Sequence, residues 1–149
     1  MTDGLSQQHL AEIADVHSYN NGVIAEFRRT GGTVGGDLAG QNALLLNTVG
    51  AKSGQPRTTP LLYVPLDGDI YILGSFRGSP KHPAWVFNLR ANPVARVEIG
   101  AESYDVDAVE LGADDHRRVF DRIIEQEPLF AELRDSTARV IPIFELRRR

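Results

Sequence analysis

The sequence predicts a mainly β chain: a small antiparallel barrel of about six strands with helices packed outside it. Three observations carry this. Short apolar runs recur through the middle of the chain, most of them joined by a few turn residues, which favours antiparallel pairing. Leu66-Asp67-Gly68-Asp69 is a hairpin turn, because Asp-Gly tolerates the positive φ that such turns need. Helical patterns stand only at the start, in the middle and near the end. At 149 residues the expectation is one domain over residues 1–149, with an N-terminal helical segment at about 6–30.

Residues 6 to about 29 read as helix. Leu10, Ile13, Val16, Val23, Ile24 and Phe27 give a broken apolar stripe, and Gly31-Gly32 stops it. Asn20-Asn21-Gly22 is a place where it divides into two helices. Glycine-rich residues 33–41 read as loop. Residues 43–49, 58–65 and 70–75 read as three strands, the last two joined by the Asp-Gly turn. Residues 83–91 form a short helix: Pro83 suits a first turn that needs no N–H, and Asn92-Pro93 ends it. Residues 94–100 and 104–111 are two more strands around Ala101-Glu102-Ser103. Asp114 is expected to cap a helix to about residue 127, with Val119, Phe120, Ile123 and Ile124 on one side. Pro128 interrupts it, residues 129–134 add a turn of helix, and residues 140–146 form a last strand. Pro142 inside that strand calls for an edge or a bulge.

A hydrophobic content of 42% with 24% charge fits a soluble globular protein. The chain has no Cys, which excludes disulfides, thiol nucleophiles and thiolate metal sites and fits a cytoplasmic location. Residues 1–15 are polar and acidic where a signal peptide needs an apolar core. No apolar run approaches the roughly 20 residues of a spanning helix, so no integral membrane segment is expected. Whether the first helix touches a membrane surface is left open, although Glu12, Asp15 and Glu26 make attraction to anionic lipid weak.

The formal charge is −4, yet residues 50–82 carry +2 through Lys52, Arg57, Arg77 and Lys81 against Asp67 and Asp69. A basic segment in an acidic chain favours a local anionic ligand over a long polyanion, so nucleic acid is not an expected partner. Two stretches concentrate the signal, Gly50-Ala51-Lys52-Ser53-Gly54-Gln55-Pro56-Arg57 and Gly78-Ser79-Pro80-Lys81-His82-Pro83. Each joins turn-forming residues to cations and opens into a regular element, which suits an anion held by backbone N–H groups and positive side chains.

Other chemistry is missing. The four His form no compact ligand cluster, so no metal is expected. There is no G-x-S-x-G elbow, no ordered P-loop and no G-x-G-x-x-G opening a helix. An enzyme of this composition leaves the chemistry to an organic cofactor.

With those residues in view, G-x-K-S-G-x-P-R-x-x-P-L at residues 50–61, P-K-H-P-x-W-x-x-N-L-x-A-N-P at 80–93 and I-P-I at 141–143 resemble the deazaflavin-dependent nitroreductases of actinobacteria. The resemblance implies a split β-barrel and the deazaflavin coenzyme F(420), whose phosphodiester and oligoglutamate tail are anionic. It implies an oxidoreductase that passes hydride from the reduced coenzyme to a quinone-like or nitroaromatic acceptor, a small molecule. Alternatives are a related split barrel that uses FMN, and a non-catalytic deazaflavin carrier or sensor. Either a monomer or a homodimer fits.

By this resemblance Lys52, Ser53 and Arg57 hold the phosphate and acidic tail. Thr58, Thr59, Pro60 and Leu61 run beside the deazaflavin. Gly74, Ser75 and Phe76 flank the ring, with Ser75 as the catalytic candidate that orients it or supplies a proton path. Lys81, Ala84, Trp85 and Asn88 come from the short helix and its start. Many relatives place Lys directly after that serine, where this chain has Phe76 followed by Arg77, so Arg77 is expected to supply the charge. Leu62, Phe130 and Leu133 stand where some relatives have tyrosines and imply an apolar acceptor pocket.

Overall fold

The computed structural model describes residues 19–33, 41–75, 81–135 and 139–149. Helix α1 spans residues 19–30. Then come strands β1 (Ala43–Val49), β2 (Pro56–Leu62), β3 (Val64–Leu66) and β4 (Asp69–Leu73), helix α2 (Ala84–Ala91), strands β5 (Val94–Ile99) and β6 (Glu102–Glu110), helices α3 (Ala113–Gln126) and α4 (Leu129–Asp135), and strand β7 (Ile143–Arg148). The seven strands form one sheet in the order β2-β1-β5-β6-β7-β4-β3, curled into a half-barrel, and every neighbouring pair is antiparallel.

β1 is buried on both faces, which is why Ala43-Leu44-Leu45-Leu46 reads as a continuous apolar run rather than an alternation. Leu44 and Leu46 point into the main core with Ile72, Val97, Val106 and Phe144, where α2 inserts Trp85, Val86 and Leu89. Leu45 and Ala43 point the other way and take Phe27, Val23 and Ile24 of α1. A further cluster lies under α3, where Val119, Phe120 and Ile123 meet Val64, Leu66, Tyr71 and Ile143.

The elements follow the sequence expectations except that strand ends shift, β2 starting at Pro56 and β6 at Glu102 inside the turn expected at 101–103, and that four larger differences appear. Residues 19–30 are one uninterrupted helix, so Asn20-Asn21-Gly22 does not divide it; residues 6–18 of the expected helix lie outside the described residues. The strand expected over 58–65 divides at Tyr63: residues 56–62 pair with β1, the Tyr63 N–H donates to Asn42 O (2.9 Å) at the next rung, and residues 64–66 pair with β4 instead. That division raises the count to seven. Gly112, not Asp114, is the cap residue of α3, and Asp114 and Asp115 lie in its first turn, where negative charge suits the helix dipole. Pro142 precedes β7 instead of sitting inside it, because a residue without N–H cannot donate to the ladder. Its carbonyl accepts from Gly74 N (2.7 Å).

Candidate functional site

β1 and β2 pair from Ala43↔Leu62 to Val49↔Pro56, so residues 50–55 form the loop at the hairpin tip. The loop is closed by Gly50 N donating to Gln55 O (2.8 Å) and Gly54 N to Gly50 O (2.9 Å), with Gly54 at φ 69. The Ser53 hydroxyl accepts from Gln55 N (3.1 Å) and from Arg57 Nη2 (3.4 Å). A buried amide fixes this loop to the rest of the molecule. Asn88 of α2 accepts from Ala51 N at Oδ1 (2.9 Å), and its Nδ2 donates to the buried Thr48 hydroxyl (3.4 Å).

Lys52 is exposed on this pinned loop and Arg57 at the start of β2 directly after it. Among the described residues neither has an ion-pair partner, whereas Arg28, Arg90, Arg96, Arg122 and Arg148 each face a carboxylate. Two cations held at one hairpin end with no ion-pair partner among the described residues are suited to an anion from outside the chain.

From the loop, β2 runs along one edge of the sheet, the position that tolerates Pro60. Thr58 is tied into the sheet by its hydroxyl, which donates to Asn47 Oδ1 (2.6 Å). The far end of β2 opens on a cleft of about 680 Å³. Pro60, Leu61, Leu62 and Tyr63 line it from β2, and Leu73 and Ser75 from the end of β4. Phe130 and Leu133 of α4 close the opposite side, and Tyr19 and Asn20 of α1 contribute a further part of the wall. The structure thus gathers into one space residues that the sequence placed on the cofactor side (Pro60, Leu61, Ser75) and on the acceptor side (Leu62, Phe130, Leu133).

Other expected site residues are placed elsewhere. Trp85 is 4% exposed, packs edge-on to Phe144 at 5.8 Å between ring centroids, and belongs to the core. Asn88 is buried and engaged with the loop backbone as above. Gly74 is buried, and a Cβ there would meet Val86 Cγ2 at 2.8 Å and Pro142 Cδ at 3.1 Å. Its missing side chain therefore makes room for protein. Ala84 and Lys81 are exposed at the start of α2, and Phe76 and Arg77 lie outside the described residues.

Tyr63 and Tyr19 line the cleft without having been anticipated from the sequence. Tyr63 follows Leu62 directly and was hidden by reading the strand as unbroken. Tyr19 comes from a helix whose partner faces no local pattern reveals.

Known proteins place this geometry in a family. Residues 21–147 match the F420H(2)-dependent quinone reductase family. An F420H(2)-dependent quinone reductase of Mycobacterium tuberculosis is 38% identical over 130 residues, covering 84% of this chain and 87% of its own. Among solved structures, an F420-H2 dependent reductase is 37% identical with a TM-score of 0.61, over 70% of this chain and 93% of that one. A protein described as a domain-swapped dimer is 31% identical with a TM-score of 0.64, over 97% of this chain and 98% of that one. The chain belongs to the F420H(2)-dependent quinone reductase family, oxidoreductases of split-barrel fold that use coenzyme F(420).

Proposed function

We propose that the pinned loop and the cleft are the two halves of the site at which this chain transfers hydride from reduced F(420) to a quinone. The residues present fit the coenzyme by their chemistry. Lys52 and Arg57, exposed and without carboxylate partners among the described residues, receive its phosphate and acidic tail, with Ser53 beside them. The edge strand leads from those cations to the cleft, so Thr59, Pro60 and Leu61 flank the flat ring system. The reduced deazaflavin supplies the hydride when bound.

The chain's own contribution is placement, exclusion of water and a proton. Leu62, Phe130 and Leu133 give the acceptor an apolar wall, which favours a planar quinone over a strongly hydrated molecule. Holding donor and acceptor together removes translational freedom before the reaction. The quinone oxygen gains negative charge as hydride arrives, and a hydroxyl at the wall stabilises it by hydrogen bonding or gives it a proton. Ser75 fills that role from the end of β4, and Tyr63 is a second hydroxyl-bearing residue of the same wall.

The carrier or sensor alternative rested on a pocket without tyrosine, and Tyr19 and Tyr63 remove that ground. The observation that carries the reading is the single cleft shared by Ser75, β2 and α4. Steady-state oxidation of reduced F(420) with menadione tests it. The expected result is turnover that falls when Leu62 is replaced by Asp, with coenzyme affinity retained. Coenzyme binding without any quinone-dependent oxidation would refute it.

A further inference from the structure

The cleft that β2 enters has a single formal charge on its wall among the described residues. That charge is the carboxylate of Glu127, and the rest of the lining consists of apolar side chains, hydroxyls and amides. The backbone holds Glu127 in place. It is the cap residue at the end of α3, where its N–H donates to Ile123 O (2.8 Å). Its carbonyl accepts from Phe130 N (3.1 Å) at the start of α4. One residue earlier, Gln126 Nε2 donates to Pro65 O (3.4 Å), which ties this end of α3 to β3.

The cations of the neighbouring helices are engaged elsewhere. α3 and α4 hold four arginines and no lysine, and each arginine faces an aspartate: Arg117 with Asp114, Arg118 with Asp115, Arg122 with Asp67 and Arg134 with Asp121. Among the described residues Glu127 has no ion-pair partner. The last turn of α3 contains no basic residue, so the negative end of the helix dipole adds to the carboxylate instead of offsetting it. Glu127 is exposed, which puts its charge at the rim of the cleft, where an acceptor approaches. Apolar walls such as those of Leu62 and Phe130 concentrate the field of such a charge in the opening.

We propose that Glu127, on the reading of the cleft as the acceptor site, determines specificity by charge: it admits neutral and cationic quinones and disfavours quinones that carry a carboxylate or sulfonate. An unpaired charge at the rim discriminates by repulsion and needs no contact with the reacting atoms.

Three acceptors test this at saturating F(420): menadione, a naphthoquinone bearing a sulfonate, and a naphthoquinone bearing a quaternary ammonium group. Their reduction potentials differ, so each is compared with itself across variants. At low salt, Glu127→Gln should raise kcat/KM for the sulfonate about two- to threefold and lower it for the cation by as much, the size Coulomb's law gives for unit charges about 8 Å apart in water-like surroundings. Both changes should lie in KM, and uncharged menadione should shift least. Glu127→Lys should carry both changes further, and Glu127→Asp should restore the wild-type pattern. Near about 0.5 M salt the differences should vanish. A purely structural role would move all three acceptors together and would not respond to salt. Equal shifts for all three, or a sulfonate-to-cation ratio that Glu127→Gln and Glu127→Lys leave unchanged, would overturn the proposal. Absence of menadione turnover in the wild type would remove the reading of the cleft and this inference with it, whereas turnover without charge discrimination removes this inference alone.

Discussion

At the scale of single residues, the loop proposed to hold the cofactor separates roles that sequence spacing merges. Lys52 and Arg57 are solvent-exposed, so their removal leaves the folded chain's packing intact. Lys52→Ala and Arg57→Ala should each weaken F(420) binding by about 1–3 kcal/mol, the range for a charge-assisted hydrogen bond, with little change in apo Tm. Asn88 should behave differently. Asn88→Ala removes the acceptor for Ala51 N and the donor to Thr48 and empties a buried position. It should cost about 1–3 kcal/mol of stability in the absence of coenzyme and weaken binding as well, because the loop loses its anchor. Urea unfolding and coenzyme titration on the same sample distinguish the two patterns. The motif containing Asn88 was legible in the sequence, but its direction was not. Residue types within a motif do not say which of two facing surfaces a helix presents inward.

At the scale of elements, helix α1 is the part least expected to matter and is built into the site's wall. Its C-terminal end is seated by a close backbone approach. A Cβ on Gly32, where φ is 106, would lie 2.4 Å from Gly100 Cα. Backbone cannot yield as a side-chain tip can, so Gly32→Ala should lower stability by about 2 kcal/mol or more. Because Tyr19 on α1 lines the cleft, the same change should raise KM for the quinone more than it alters coenzyme affinity. A second tie is electrostatic. Arg28 holds both oxygens of Glu98 on β5 (3.1 and 2.9 Å), and Asn47 Nδ2 donates to the same carboxylate (3.0 Å). The Arg28 hydrogen bond, aided by that of Asn47 and opposed by burial, holds the Glu98 carboxyl below the usual glutamate range. A depressed carboxyl contributes stability that is present above the unfolded pKa and is lost as pH falls through the lower folded value. Tm should therefore hold from neutral pH down to the ordinary glutamate range and then drop, with a shallower acid limb in Glu98→Gln. The strands were legible because β5 and β6 alternate sides and β1 is apolar throughout. The break at Tyr63 was not, since it marks a change of pairing partner from β1 to β4. Asp114 fits both a cap and a first turn, and only backbone geometry separates them.

For the whole molecule, the curled sheet explains how segments far apart in sequence make one site. The order β2-β1-β5-β6-β7-β4-β3 carries β4 to the far side of β7, where its end at Ser75 meets the cleft that β2 enters from the other side. A basic segment in a chain of charge −4 was readable from composition, and it is the ground on which an anionic ligand is proposed there. The cleft was not readable, because residues 19–20, 60–65 and 126–133 converge only once the sheet has curled. The central claim is that Lys52 of the hairpin loop and Arg57 at the start of β2 hold the coenzyme through its anionic chain. Paired titrations with F(420) and FMN, in the wild type and in the Lys52→Ala/Arg57→Ala double variant, test it most directly. The wild type should bind F(420) more tightly than FMN and lose that advantage with rising salt, and the double variant should lose most of it at low salt. Equal affinities for the two cofactors, or a double variant that keeps the wild-type preference, would contradict the account.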